Sequence, residues 1–158
     1  MKSATWGRIQ HWHTVQPGEL FMIEIDGKAH IALQVSAGTD RRALIIHPRP
    51  EGYDAGPATV SDRRTASCMV YVIPNAKIGL APDELLSFRT EPALGDLVET
   101  PKGTFLKTLG TEGHVRYCDV ATGKSHHDFD LSQCACFSRW QITVRDGERE
   151  VAIFSWPA

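Results

Sequence analysis

No apolar run in this chain approaches the roughly 18–20 residues that a membrane-spanning helix requires, so the sequence predicts no membrane association. The first residues, Met1-Lys2-Ser3-Ala4-Thr5-Trp6-Gly7-Arg8, lack the apolar stretch of a signal peptide, and the expected compartment is the cytoplasm. Four cysteines in 158 residues are too few for a disulfide scaffold; a reducing compartment keeps them as thiols. Neither G-x-G-x-x-G nor a P-loop pattern is present, which removes the common glycine-rich phosphate cradles. G-x-S-x-G is missing too. The adjacent Ser125 and His126 cannot build a triad, because neighbours in an extended chain point apart. Charge of one sign is also scarce. The net charge of −2 gives no bulk attraction to nucleic acid or anionic lipid, although residues 1–80 carry nine Lys/Arg against seven Asp/Glu and residues 81–158 carry eight against twelve. Helix signals are nearly absent: only Pro82-Asp83-Glu84-Leu85-Leu86-Ser87-Phe88 has a proline and acids where a first helical turn favours them.

What the chain does contain is β signal. Hydrophobic residues make up 42% and charged residues 23%, enough to build a packed core. Two stretches echo each other. Gly18-Glu19-Leu20-Phe21 and Gly95-Asp96-Leu97-Val98 each open an apolar strand and run into a turn signal, Asp26-Gly27 or Pro101-Lys102-Gly103. Each continues through a second apolar strand to a polar turn, Ala37-Gly38-Thr39-Asp40 or Gly110-Thr111-Glu112-Gly113. Further strands are predicted at 42–47, 68–73, 114–120, 136–144 and 149–155, with Asp146-Gly147 turning the last pair. The final strand is apolar on both faces and reads as core. Residues 48–67 form a long loop rich in proline, glycine and charge, of the kind that carries recognition. About ten short strands separated by turn residues predict an all-β protein. The organisation expected is a first β unit over 1–74, a connector over 75–93 and a second β unit over 94–158.

The pattern of a Gly-acid-apolar opening, a tight hairpin and an apolar return strand resembles SH3-like small barrels. The resemblance implies two such barrels in tandem, packed together; the residue pattern adds at most one short helix near 82–88. The segment from Pro17 to Ser36 is also similar in outline to the start of bacterial toxins of the PemK ribonuclease type. Those place an Arg-Pro pair just before the second apolar strand, where this chain has Ala29-His30. That likeness would make His30, His47 and Arg42 the candidate nuclease residues.

Three clusters have the composition of a site. The basic set Arg41, Arg42, Arg49, Arg63 and Arg64, with His47 and Tyr53, suits phosphate binding and base stacking if the loops 37–42 and 48–67 converge. Cys118, His126, His127, Cys134 and Cys136 have the ligand types zinc prefers, and Cys134 and Cys136 share a face in an extended strand. His11 and His13, at i and i+2, share a face in the same way. No cofactor is required by the sequence, with zinc as the one candidate. The function expected is a non-enzymatic binding or assembly module. It recognises a protein partner, or a second copy of itself, through loops of the β scaffold, with nucleic acid as another candidate partner. The alternative is a small hydrolase, either a PemK-like ribonuclease or a zinc enzyme.

Overall fold

A computed structural model describes residues 7–49, 52, 56–60 and 68–157. The protein is all-β, as expected, but its sheets are not closed barrels. The first five-strand run is β2 (Leu20–Ile25), β3 (Lys28–Ala37), β4 (Asp40–His47), β5 (Ala58–Thr59) and β6 (Met69–Val72). The second is β9 (Leu97–Thr100), β10 (Gly103–Leu109), β11 (Val115–Asp119), β12 (Ser125–His126) and β13 (Ala135–Phe137). In both, four strands meander and the fifth returns to pair with the first, giving the orders β6-β2-β3-β4-β5 and β13-β9-β10-β11-β12. Short strands β1 (Arg8–His11) and β8 (Phe88–Arg89) border β6 and β13. A separate three-stranded sheet holds β7 (Ala76–Gly79), β14 (Trp140–Asp146) and β15 (Arg149–Trp156).

The two runs agree in detail. Gly18 and Gly95 have φ of +90° and +89°, and each donates its N–H over 2.8 Å to the opposite strand, Gly18 to Gln34 O and Gly95 to Lys107 O. Gln34 N–H and Lys107 N–H return bonds to Glu19 O and Asp96 O. The left-handed conformation explains why both stretches open on glycine.

Strands β5 and β12 are two residues long, and each turns outward to the other run rather than closing its own. Leu109 N–H donates to Pro57 O at 3.0 Å, pairing Ala58 in parallel with Leu109. Ser36 N–H donates to Gly123 O at 2.8 Å, bridging Ser36 in parallel to Lys124. Counted along the ladders, Ser36 holds the place in β3 that Leu109 holds in β10, and Ala58 the place that Lys124 holds. The exchange is therefore reciprocal.

Burial follows the same plan. Strands apolar on both faces must be covered on both. Phe21, Ile23, Ala43 and Ile45 face a core private to the first run, while Val98, Phe105, Tyr117 and Cys136 face one private to the second. Leu20, Leu33 and Leu44 meet Leu97, Leu106 and Cys118 in a shared core that Trp140 and Ile142 complete. A fully buried leucine contributes about 1.5–3 kcal/mol, so the shared core is a principal tie between the runs. Trp140 is fully buried and its Nε1–H donates to Gly95 O at 2.8 Å.

Several elements differ from expectation. The stretch predicted as one strand over 136–144 breaks at Ser138-Arg139, where Ser138 N–H donates to Ser87 O and Arg139 lies 3.2 Å from the buried Glu84. The chain thereby passes from the large sheet into the small one. The short helix expected near 82–88 is a 3-10 helix over Pro82–Ser87, and a further short 3-10 turn covers Trp12–Thr14. Residues 75–93 carry β7 and β8, which pair with β14 and β13. The last strand is half core: Phe154 and Trp156 pack on Trp140, while Val151 and Ile153 stay exposed. No helix among the described residues is long and apolar enough to cross a membrane.

Candidate functional site

The reciprocal exchange leaves a cleft of about 200 Å³ where the two runs meet. It is lined by residues that occupy matching places in the two runs. Arg42 stands opposite Val35 as Arg116 stands opposite Thr108, and Thr59 pairs with Leu44 as Ser125 pairs with Cys118. Ala37 and Gly110, each one residue beyond an exchanged strand position, form the walls. The loops 37–40 and 110–114 supply Asp40, Glu112 and His114, and His127 enters from the end of β12. Asp40 lies 3.7 Å from Arg42 and Glu112 lies 3.8 Å from His114. Arg116 has no carboxylate within ion-pair distance among the described residues. Two guanidinium groups, two carboxylates and two hydroxyls thus line the cleft, and Arg42 is already engaged, its Nη1 donating to Arg41 O at 3.1 Å.

The structure divides the basic set read from sequence. Arg41 and Arg42 project from opposite faces of β4. Arg41 is spent on the fold, donating from Nη1 to His13 O at 2.8 Å and Val15 O at 3.3 Å. Arg42 lines the cleft. His47 lies at the far end of the same strand, about 17 Å away at strand rise. It packs on Phe154 with rings tilted at 34° and centroids 5.1 Å apart, and the Arg49 guanidinium sits 5.8 Å over Trp156. Burial, then the charge of Arg49, then that of His30, hold His47 below the usual imidazole value. Tyr53, Arg63 and Arg64 lie outside the described residues. His30 is buried with Nδ1 against Pro48 O. The nuclease trio is thus two neighbouring histidines with the arginine at the other end of the strand.

The candidate zinc ligands are also dispersed. His126 and His127, adjacent in sequence, point to opposite sides of β12: His126 packs edge-on against Phe105 with centroids 5.8 Å apart, while His127 faces the cleft. Cys118 is buried in the shared core beside Thr108 Oγ1 at 3.6 Å. Cys134 and Cys136 do meet, with sulfurs 3.9 Å apart. Burial, followed by the hydrogen bond and charge of Cys134 and the charge of Asp96, pushes the Cys136 thiol up to about 12. Among the described residues no group of three or more His, Cys, Asp or Glu side chains is arranged to hold a metal ion. His11 and His13 lie against each other with rings tilted at 50° and centroids 4.2 Å apart, where the chain passes from β1 into the 3-10 turn.

Arg116 and Thr59 went unmarked in the sequence, and Ser125 was weighed only as a triad member. Their only signal is the shared ladder position, which emerges once the echo from Gly18 and Gly95 is extended strand by strand. Comparison with protein-family profiles, curated proteins and solved structures finds no match to this chain.

Proposed function

We propose that the protein is a non-enzymatic binding module made of two tandem SH3-like units, and that it holds an anionic group of a protein partner in the cleft at their junction. The observation that carries this reading is the convergence of Arg42 and Arg116, with Thr59 and Ser125, at matched positions in the two units. A cleft of about 200 Å³ has room for one phosphate or carboxylate group and its nearest atoms, not for a stretch of polymer. A net charge of −2 also lacks the extended basic surface that backbone binding to nucleic acid requires. An acidic or phosphorylated side chain of a protein therefore fits better than RNA or DNA.

NMR titration with phosphoserine, with glutamate and with a single-stranded oligonucleotide tests the reading. Saturable shifts should cluster at 37–42, 59, 110–116 and 125–127 and vanish in Arg116→Gln. Absence of saturable shifts there with either small anion overturns it. Stronger binding of the oligonucleotide would replace the protein partner by nucleic acid.

A further inference from the structure

On the other side of β12 from the cleft lies a second recess, of about 220 Å³, built entirely by the second run of strands. Its interior is aromatic. Phe105 forms one wall; Phe129 meets it at 63° with centroids 4.5 Å apart, and His126 meets it at 73° with centroids 5.8 Å apart. Two rings standing steeply against a third make an open-mouthed box. The box is braced from behind: Tyr117 stacks on Phe129 at 4.6 Å with planes 13° apart, so the Phe129 wall is fixed before any ligand arrives.

The mouth is acidic. Asp128 and Asp130 line it with one cation, Lys102. The side chain and backbone N–H of Ser132 bond Asp130 and hold its carboxyl below the usual range, with Lys102 adding a smaller pull in the same direction. Ser132 N–H donates to Asp130 Oδ1 at 2.9 Å, which anchors that carboxylate at the rim.

Aromatic faces carry negative potential, and a box of them attracts a bulky, weakly hydrated cation more than a bare ammonium, whose hydration shell is costly to strip. We propose that this recess binds a methylated ammonium group, with Phe129 and His126 contacting the methyl groups above the nearly buried Phe105 and with Asp128 and Asp130 balancing the charge at the mouth. The group enters either as a free choline-like molecule or as a methylated lysine side chain; the recess recognises the chemistry they share. This site is independent of the anion cleft and stands or falls separately.

The test is an amide NMR titration of the full chain with choline, with its neutral isostere 3,3-dimethylbutan-1-ol, and with capped Nε-trimethyllysine. Choline or trimethyllysine should give saturable shifts confined to 100–106 and 125–133, at least about fivefold tighter than the isostere. The tighter of the two identifies the natural source. Asp128→Asn with Asp130→Asn leaves the Ser132 bond an oxygen acceptor and should weaken binding about threefold or more. Phe129→Leu should abolish it. Equal affinity for the isostere, shifts outside the recess, no saturable shift with either cation, or unchanged binding in the double asparagine variant overturns the proposal. The asparagine variant settles the matter even if Phe129→Leu disturbs the core.

Discussion

The seam between the two runs is tested most directly at Gly123. This residue has φ of +70°, and a Cβ placed on it would lie 2.4 Å from both the Gln34 oxygen and the Gly18 nitrogen. Those are backbone atoms joined by their own hydrogen bond, and Gly123 O accepts from Ser36 N–H. The seam therefore cannot absorb a methyl group by rotating a side chain. Left-handed backbone costs an L-residue about 1–2 kcal/mol, part of which alanine recovers by stiffening the unfolded chain. Disturbing the two seam hydrogen bonds adds about 1 kcal/mol each. Gly38 supplies the control: its φ is +63°, but nothing lies within 4 Å of its Cβ position. Gly38→Ala should cost about 1 kcal/mol and Gly123→Ala about 3 kcal/mol. For a chain of this size the difference corresponds to a Tm lower by about 4–8 °C. Urea and thermal unfolding followed by tryptophan fluorescence measure both, with the fully buried Trp140 as reporter. If the two variants fall within about 0.5 kcal/mol of each other, the close backbone contact across the seam is refuted.

Truncating Leu106, fully buried in the shared core, to alanine should cost about 2–5 kcal/mol in urea unfolding and abolish a single cooperative transition more readily than truncation in either private core. Cys118 and Cys136, both buried with raised thiol pKa values, should resist iodoacetamide at pH 8 in the native protein and react fully in urea, as read by mass spectrometry. The folded His47 binds a proton less readily than the unfolded chain does, so its contribution to stability is full above the ordinary imidazole pKa and is lost as pH falls through its lower folded value. Urea midpoints should decline from pH 7 to pH 5, and His47→Asn should flatten that decline.

Local chemistry was the legible part of this sequence. Asp26-Gly27 reads as a two-residue turn, and both residues have positive φ, 51° and 75°. Gly18 and Gly95 announced their hairpins for the same reason: backbone conformations that only certain residues tolerate leave a mark in one or two letters. The outward turn of β5 and β12 left none, because a two-residue strand shows no alternation and its partner lies in the other half of the chain. The cleft inherits that opacity. Arg42 is separated from Arg116 by most of the intervening fold, and only the parallel exchange joins them. The arrangement of the Cys and His residues was opaque at a similar level: alternation along β12 sends His126 and His127 to opposite sides.

The reciprocity of that exchange has a consequence for how the cleft exists at all. Each half of the chain offers one edge and accepts another, the arrangement that two identical subunits adopt about a dyad. Were the halves separate molecules, the Arg42–Arg116 pairing would assemble and dissolve with dilution. Carried on one polypeptide, each half meets its counterpart at an effective concentration on the order of millimolar. The cleft and its lining are thus present in every copy of the protein, however few copies the cell contains.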